Sequence, residues 1–183
     1  MRTDVTINGG EFYVSVEPKI IYTLIGSCVA VCLFDSQMHI GGMNHFLLPG
    51  NPDMKSFNDS ARYGINAMEL LINDMMSLGA DRRQFMAKVF GGGHILQKIS
   101  TQQSPGPKNA QFVLAFLNKE KIKVTGMDLG GKKARKIFFN TYTGEVFLKS
   151  IEPGQYGQII TKEKKYLKRI RKNIKKSGDM TFF

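Results

Sequence analysis

Thr23-Leu-Ile-Gly-Ser-Cys28-Val-Ala-Val-Cys-Leu-Phe-Asp35, followed by Gly41-Gly-Met-Asn-His45-Phe-Leu-Leu-Pro49, decides how this chain is read. The first stretch sets a cysteine directly after a Gly-Ser corner, at the mouth of an apolar, β-branched run. The second carries a histidine inside another apolar run. An antiparallel hairpin turning at Asp35-Ser36-Gln37-Met38 accounts for both, its strands buried on two faces. Pairing about the midpoint between Ser36 and Gln37 sets Cys28 directly across from His45, with Cβ atoms about 4.5–5.5 Å apart. At that reach an imidazole takes a thiol's proton and leaves a thiolate nucleophile. The pair points to a cysteine hydrolase or transferase.

The neighbouring residues fill the remaining roles of such a site. Thr23 orients the imidazole through its hydroxyl or carbonyl, the third part of a nucleophile, base and orienter set. Where the chain bends at Gly26-Ser27, backbone N–H groups become free to hold an oxyanion. Ser27 and Asn44 are the candidates for oxyanion and substrate positioning. The bland alternatives are a small buried thiol at Cys28 and a satisfied structural histidine at His45; Cys32 takes the bland reading outright. A metal centre is not expected, because Cys28, Cys32, His39, His45 and His94 match no common zinc spacing. No cofactor is expected either: Gly91-Gly-Gly-His94 lacks both the dinucleotide and the P-loop pattern. It reads as a tight backbone crossing, with His94 beside the pocket.

A chain of 183 residues with 42% hydrophobic content is long enough for one core. The N-terminal run has no apolar signal core and no stretch of about 18 apolar residues occurs, so a soluble cytoplasmic protein is expected. Two cysteines make no disulfide framework. In one continuous strand their Cα atoms lie about 13 Å apart, beyond bridging distance. The formal charge of +11 is lopsided, since residues 162–176 hold nine Lys or Arg and one Glu. The division expected is a single domain over residues 1–157 and a basic tail over 158–183. The tail forms a helix with Leu167, Ile170 and Ile174 on one face, or stays a solvated charge run. It lacks the interleaved aromatics of a nucleic-acid binder, so an acidic protein or membrane surface is the partner its charge suits.

Strands are expected over residues 11–17, 20–24, 29–34, 41–48, 85–90, 122–127, 135–142 and 145–151. Helices are expected from Ser60 to Leu78, with Gly79 as C-cap, and from a cap at Asn109 to Lys121. Pro49-Gly-Asn-Pro52 and Ser104-Pro-Gly-Pro107 break the chain. The sum is an α/β (α+β) arrangement, a layered sandwich of mostly antiparallel or mixed sheets built from hairpins with two main helices.

Several stretches together resemble the chemoreceptor glutamine deamidase family, CheD. They are Leu24 to Asp35, Gly41 to Pro49, Ala87-Lys-Val-Phe-Gly-Gly-Gly93, Asp128-Leu-Gly-Gly131 with Arg135, and Thr143-Gly-Glu-Val146. They run in order across residues 12–150. The resemblance implies a fold similar to the catalytic domain of cytotoxic necrotising toxins, with a Cys–His–Thr set falling on Cys28, His45 and Thr23. It implies conversion of glutamine to glutamate, with ester hydrolysis as a second use of the same site, on the helical cytoplasmic domain of chemoreceptors, and a CheC-type phosphatase as partner. A non-catalytic adaptor stimulating such a phosphatase is the alternative, and a nucleic-acid-binding protein ranks last. The tail after about residue 158 lies outside the shared core.

Overall fold

The computed structural model describes residues 4–48, 57–95 and 104–178, with helix side chains from Tyr63 onward in the first helix and up to Asn173 in the last. The Pro49–Pro52 breaker and the side chain of Ile174 lie outside the described residues. The described residues form nine strands and three helices: β1 (Val5–Thr6), β2 (Phe12–Ser15), β3 (Ile20–Ile25), β4 (Val29–Asp35), β5 (Ile40–Phe46), α1 (Phe57–Ser77), β6 (Phe85–Gly91), α2 (Pro105–Lys119), β7 (Lys123–Leu129), β8 (Arg135–Asn140), β9 (Val146–Ser150) and α3 (Tyr156–Gly178). One sheet has the order β1-β3-β8-β9, the other β2-β5-β4-β6-β7.

The central strand β4 explains the layering. All seven of its residues are buried, which requires a partner layer on each face. Val29, Val31 and Leu33 join the core beneath α1 and α2, with Phe46, Met68, Leu71, Ile72 and Val113. Ala30, Cys32 and Phe34 point the other way, into the core shared with Ile21, Ile25, Ile137 and Phe139 of the four-stranded sheet. The result is helices on sheet on sheet, the mixed α/β sandwich expected from the sequence. One βαβ unit interrupts the hairpins: β6 and β7 pair in parallel and α2 makes the crossover between them.

The β4–β5 hairpin forms with a register different from the expected one. Asp35 pairs with Ile40 and Ala30 with His45, so His45 is not directly across from Cys28. The loop runs over Ser36–His39 rather than closing at two central residues. Asp35 Oδ1 accepts from the Gln37 and Met38 N–H groups at 2.9 and 3.1 Å, and His39 takes a left-handed φ of 52°. That side-chain-pinned turn adds two residues to the loop. A two-residue shift preserves the alternation of side chains. Cys28 and His45 therefore stay on the same side of the sheet, as diagonal rather than direct neighbours.

Helix boundaries also shift. α2 starts at Pro105 after Ser104, the Pro-first arrangement that suits an unpaired N–H, and Asn109 becomes an interior residue. The Gly91-Gly-Gly93 segment is the tight crossing expected. Gly92 N–H donates to Cys28 O and Gly93 N–H to Gly26 O, both at 2.8 Å. Gly91 has φ +108°, and a Cβ there would run into Cys28 O. Gly91→Ala should therefore cost about 1–3 kcal/mol or more of stability, read as a lowered urea midpoint. An unchanged midpoint would show that the crossing is looser than described.

Candidate functional site

Cys28 sits between β3, which belongs to one sheet, and β4, which belongs to the other. The corner Gly26-Ser27-Cys28 is where the chain changes sheets, so its backbone groups have left one ladder and not entered the next. All three carbonyls have hydrogen-bond partners. Gly26 O and Cys28 O accept from Gly93 and Gly92, and Ser27 O accepts from Asn109 Nδ2 at 2.8 Å. Asn109 is fully buried, and its Oδ1 also accepts from Leu48 N–H at 2.9 Å. With the carbonyls held, the three N–H groups converge on one spot, occupied by the carboxylate of Glu163 from α3. Gly26 and Cys28 N–H donate to Oε1 at 2.9 and 3.1 Å. Ser27 N–H and its hydroxyl donate to Oε2 at 3.2 and 2.5 Å.

His45 approaches from β5. Its backbone is clamped outside the regular ladder: His45 N–H donates to Glu11 O at 3.0 Å, and His45 O accepts from Gly10 N–H at 2.7 Å. The ring Nδ1 lies 2.8 Å from Thr23 Oγ1 on β3. The Thr23 hydroxyl has one proton, and it is directed at Ile7 O, 2.8 Å away. The hydroxyl can then only accept from the ring, which assigns the proton to Nδ1 and a lone pair to Nε2. Nε2 is buried and has no hydrogen-bond partner. An unpaired buried lone pair carries a desolvation cost that natural cores rarely leave standing; here it is an imidazole in the form a general base requires.

Cys28, His45 and Thr23 all line one cavity of about 490 Å³, together with Ile7, Glu11, Tyr22, Lys136, Glu163, Tyr166 and Arg169. The structure thus brings the three expected catalytic residues together, and Ser27 faces the same place through Glu163. Asn44 goes elsewhere. Strand alternation turns it away from His45, and its amide donates to Ala67 O of α1 at 3.0 Å while its Oδ1 accepts from Val31 N–H at 3.2 Å. It joins sheet to helix and does not reach the cavity. His94 stands outside the cavity lining, its N–H donating to Gly131 O. Among the described residues no group of three or more His, Cys, Asp or Glu could hold a metal ion.

The electrostatics are those of a closed site. Burial pushes the Cys28 thiol well above its usual range, and the nearby Glu163 charge and hydrogen bond raise it further. Burial likewise lowers the His45 imidazole to about 4, against the opposing pull of Glu163 and Glu11. Both shifts favour the neutral thiol and the neutral imidazole over a thiolate–imidazolium pair in this conformation. Cys32, further along β4, is also pushed up by burial and is an inert core thiol.

Sequence reasoning misses Glu163, Tyr166 and the bridging role of Asn109. The basic run is not a solvated appendage: α3 lies on the domain, with Ile159, Glu163, Tyr166 and Ile170 buried. Tyr166 Oη is hydrogen-bonded to Tyr63 Oη of α1, and Arg169 donates to Gly9 O at 3.0 Å. The available signal is the spacing of those four residues, at steps of four, three and four. A charged residue in the middle of such a stripe hides it. No helix among the described residues is long and apolar enough to cross a membrane.

Comparison with known proteins agrees with the sequence resemblance. Residues 47–150 match the family described as "CheD chemotactic sensory transduction". A "Probable chemoreceptor glutamine deamidase CheD 1" of Shewanella oneidensis is 45% identical over 186 aligned residues, covering 100% of this chain and 88% of that protein. A protein of the same name from Dechloromonas aromatica is 41% identical, covering 95% of this chain and 86% of its own length. A "Probable chemoreceptor glutamine deamidase CheD 2" of Chromobacterium violaceum is 42% identical over 99% of this chain and 90% of its own.

The lowered His45 value sets a pH dependence of stability. Between about 4 in the fold and the ordinary 6.5, the unfolded chain takes up the proton that the folded chain refuses. The contribution of neutral His45 is therefore full above about pH 6.5 and is lost as pH falls towards 4. From pH 7 to pH 5 the wild-type chain should lose more stability in urea titrations than His45→Gln. Equal losses would contradict a buried neutral imidazole.

Proposed function

This chain belongs to the CheD family, and we propose that it is a protein-glutamine deamidase acting on the helical cytoplasmic domain of chemoreceptors, with Cys28 as nucleophile, His45 as base and acid, and Thr23 as the residue that orients His45. The observation that carries this reading is the pairing of an unpartnered His45 Nε2 with a tautomer fixed by Thr23, in the same cavity as a thiol whose own corner aims three N–H groups at one point. Nucleophile, base, orienter and oxyanion donors are the parts that amide hydrolysis needs.

The chemistry follows from those parts. As the thiol attacks the glutamine carboxamide carbon, its proton passes to Nε2. The carbonyl oxygen, now an oxyanion, sits where the Gly26, Ser27 and Cys28 N–H groups converge. Charge-assisted bonds to backbone N–H groups in a water-excluded site stabilise it more than they stabilise the neutral amide. The imidazolium returns its proton to the departing nitrogen, which leaves as ammonia. A water activated by His45 Nε2 then cleaves the thioester, yielding glutamate and the free thiol.

Thr23 matters because an imidazole free to rotate or change tautomer offers the wrong nitrogen for part of the time. A glutamyl methyl ester fits the same machinery, with an easier leaving group. The reading places the protein in the cytoplasm, where receptor helices are exposed, and includes a CheC-type phosphatase as a partner whose binding would show in pull-down with the full chain.

Incubation with a chemoreceptor cytoplasmic fragment should release ammonia and convert individual glutamines to glutamate, read by mass spectrometry. Cys28→Ala should abolish conversion, and His45→Ala should reduce the rate by about 10²–10⁴. Thr23→Val should cost less than His45→Ala, with Thr23→Ser restoring most of the rate. Conversion that persists in Cys28→Ala would refute the nucleophile.

A further inference from the structure

We propose that α3 is a built-in product mimic: Glu163 lies where the reaction would leave its glutamate, and the groove under α3 is the seat of the helix that carries the substrate glutamine. This rests on the deamidase reading and goes beyond it by naming how the substrate is presented and what competes with it.

The argument begins from what Glu163 touches. A hydrolysed glutamine is a carboxylate on a two-methylene stem, which is a glutamate side chain. The Glu163 carboxylate takes both oxygens to the donors that would hold the oxyanion, Oε1 to Gly26 and Cys28 N–H and Oε2 to the Ser27 N–H and hydroxyl. It comes from a helix, the form in which chemoreceptor cytoplasmic segments would offer a side chain. A structural carboxylate needs no such coincidence with the nucleophile's own backbone.

The rest of α3 is fitted to the body along a single stripe. Ile159, Tyr166 and Ile170 flank Glu163 at four residues before and three and seven after, and all three are buried. Beneath Tyr166 the chain has glycine: a Cβ on Gly9 would stand 2.5 Å from the Tyr166 ring. The opposite side of α3 carries Lys164, Lys168 and Lys172, all exposed. The helix therefore plugs the cavity with its one acidic, aromatic stripe and shows solvent a basic face. Burial beneath the helix raises the Cys28 thiol, and the Glu163 charge and hydrogen bond raise it further.

A receptor helix and α3 cannot occupy the groove together. The free enzyme is then mostly closed, and apparent activity is reduced by the fraction of time α3 is away. Replacing Glu163 by glutamine turns the mimic into a substrate. The Cys28 proton passes to His45, sulfur bonds to the carboxamide carbon of the introduced side chain, and the C–N bond breaks to release ammonia with that proton. Water cleaves the thioester, leaving glutamate at position 163.

The test uses three full-length variants beside the wild type: Glu163→Ala, Glu163→Gln, and Glu163→Gln combined with Cys28→Ala. Cys28 alkylation by iodoacetamide, mapped by peptide, and conversion of a receptor cytoplasmic fragment should both be at least about tenfold faster in Glu163→Ala than in wild type. Glu163→Gln keeps the size of the side chain and a carbonyl acceptor, and so remains informative if Glu163→Ala is unstable. Its residue 163 should be recovered as glutamate by mass spectrometry, and the doubly substituted chain should keep glutamine there. Equal alkylation and equal receptor conversion in wild type and Glu163→Ala, with the introduced glutamine left intact, would overturn the proposal while leaving the deamidase reading standing. Faster alkylation with no conversion of either the receptor or the introduced glutamine would instead overturn the deamidase reading, and the product-mimic proposal with it.

Discussion

Three consecutive backbone N–H groups aimed at one point are the constraint on which this structure turns. The amides of Gly26, Ser27 and Cys28 converge while their carbonyls are held by Gly92, Gly93 and Asn109. That in turn requires the chain to change sheets at this corner and the triple-glycine strand end to pass it at backbone contact distance. A concentration of unpaired donors in a buried place is costly unless an acceptor fills it. The fold fills it with a carboxylate, and the proposed chemistry fills it with an oxyanion. One geometric device then serves both the carboxylate bound here and the proposed oxyanion.

The imidazole side of the site rests on where a few protons go. A threonine hydroxyl whose hydrogen goes to a main-chain carbonyl is an acceptor only, and an acceptor facing Nδ1 fixes which nitrogen carries the proton. No charged orienting residue is needed. The cost is a buried, unsatisfied Nε2 with an affinity for protons well below the ordinary histidine value. An imidazole so desolvated is poorly suited to an exposed ion pair, and suits the proposed role of taking a proton only when charge develops beside it.

Much of this is legible in the sequence. The run Val29–Phe34 reads as a strand buried on both faces and lies within β4, which is one, and Cys28, His45 and Thr23, singled out by their motifs, line one cavity. The hairpin register is not legible, because Asp35 binds its own turn and His39 adopts a left-handed conformation that few sequences announce. The difference is harmless in its effect on facing, since a shift of two residues keeps side chains on the same side. Asn44 departs from expectation for the same geometric reason in reverse: one residue from His45, it faces the other layer. The start of α2 is written in Ser104-Pro105, whereas Asn109, a plausible cap by residue type, instead ties Ser27 to Leu48. Glu163 is harder to read. It stands 135 residues from Cys28 inside a run whose charge suggests solvent, and only its spacing from Ile159, Tyr166 and Ile170 marks one carboxylate among nine cations as buried.

In the proposed mechanism turnover passes through a thioester on Cys28. Adding hydroxylamine during conversion of a receptor cytoplasmic fragment tests it most directly, because a thioester partitions between water and the stronger nucleophile. Glutamyl hydroxamate should appear at the same receptor positions that otherwise become glutamate, increasing with hydroxylamine at the expense of glutamate. Undiminished glutamate with no hydroxamate at any concentration tolerated by the enzyme would mean that water attacks the amide directly and that no thioester forms on Cys28.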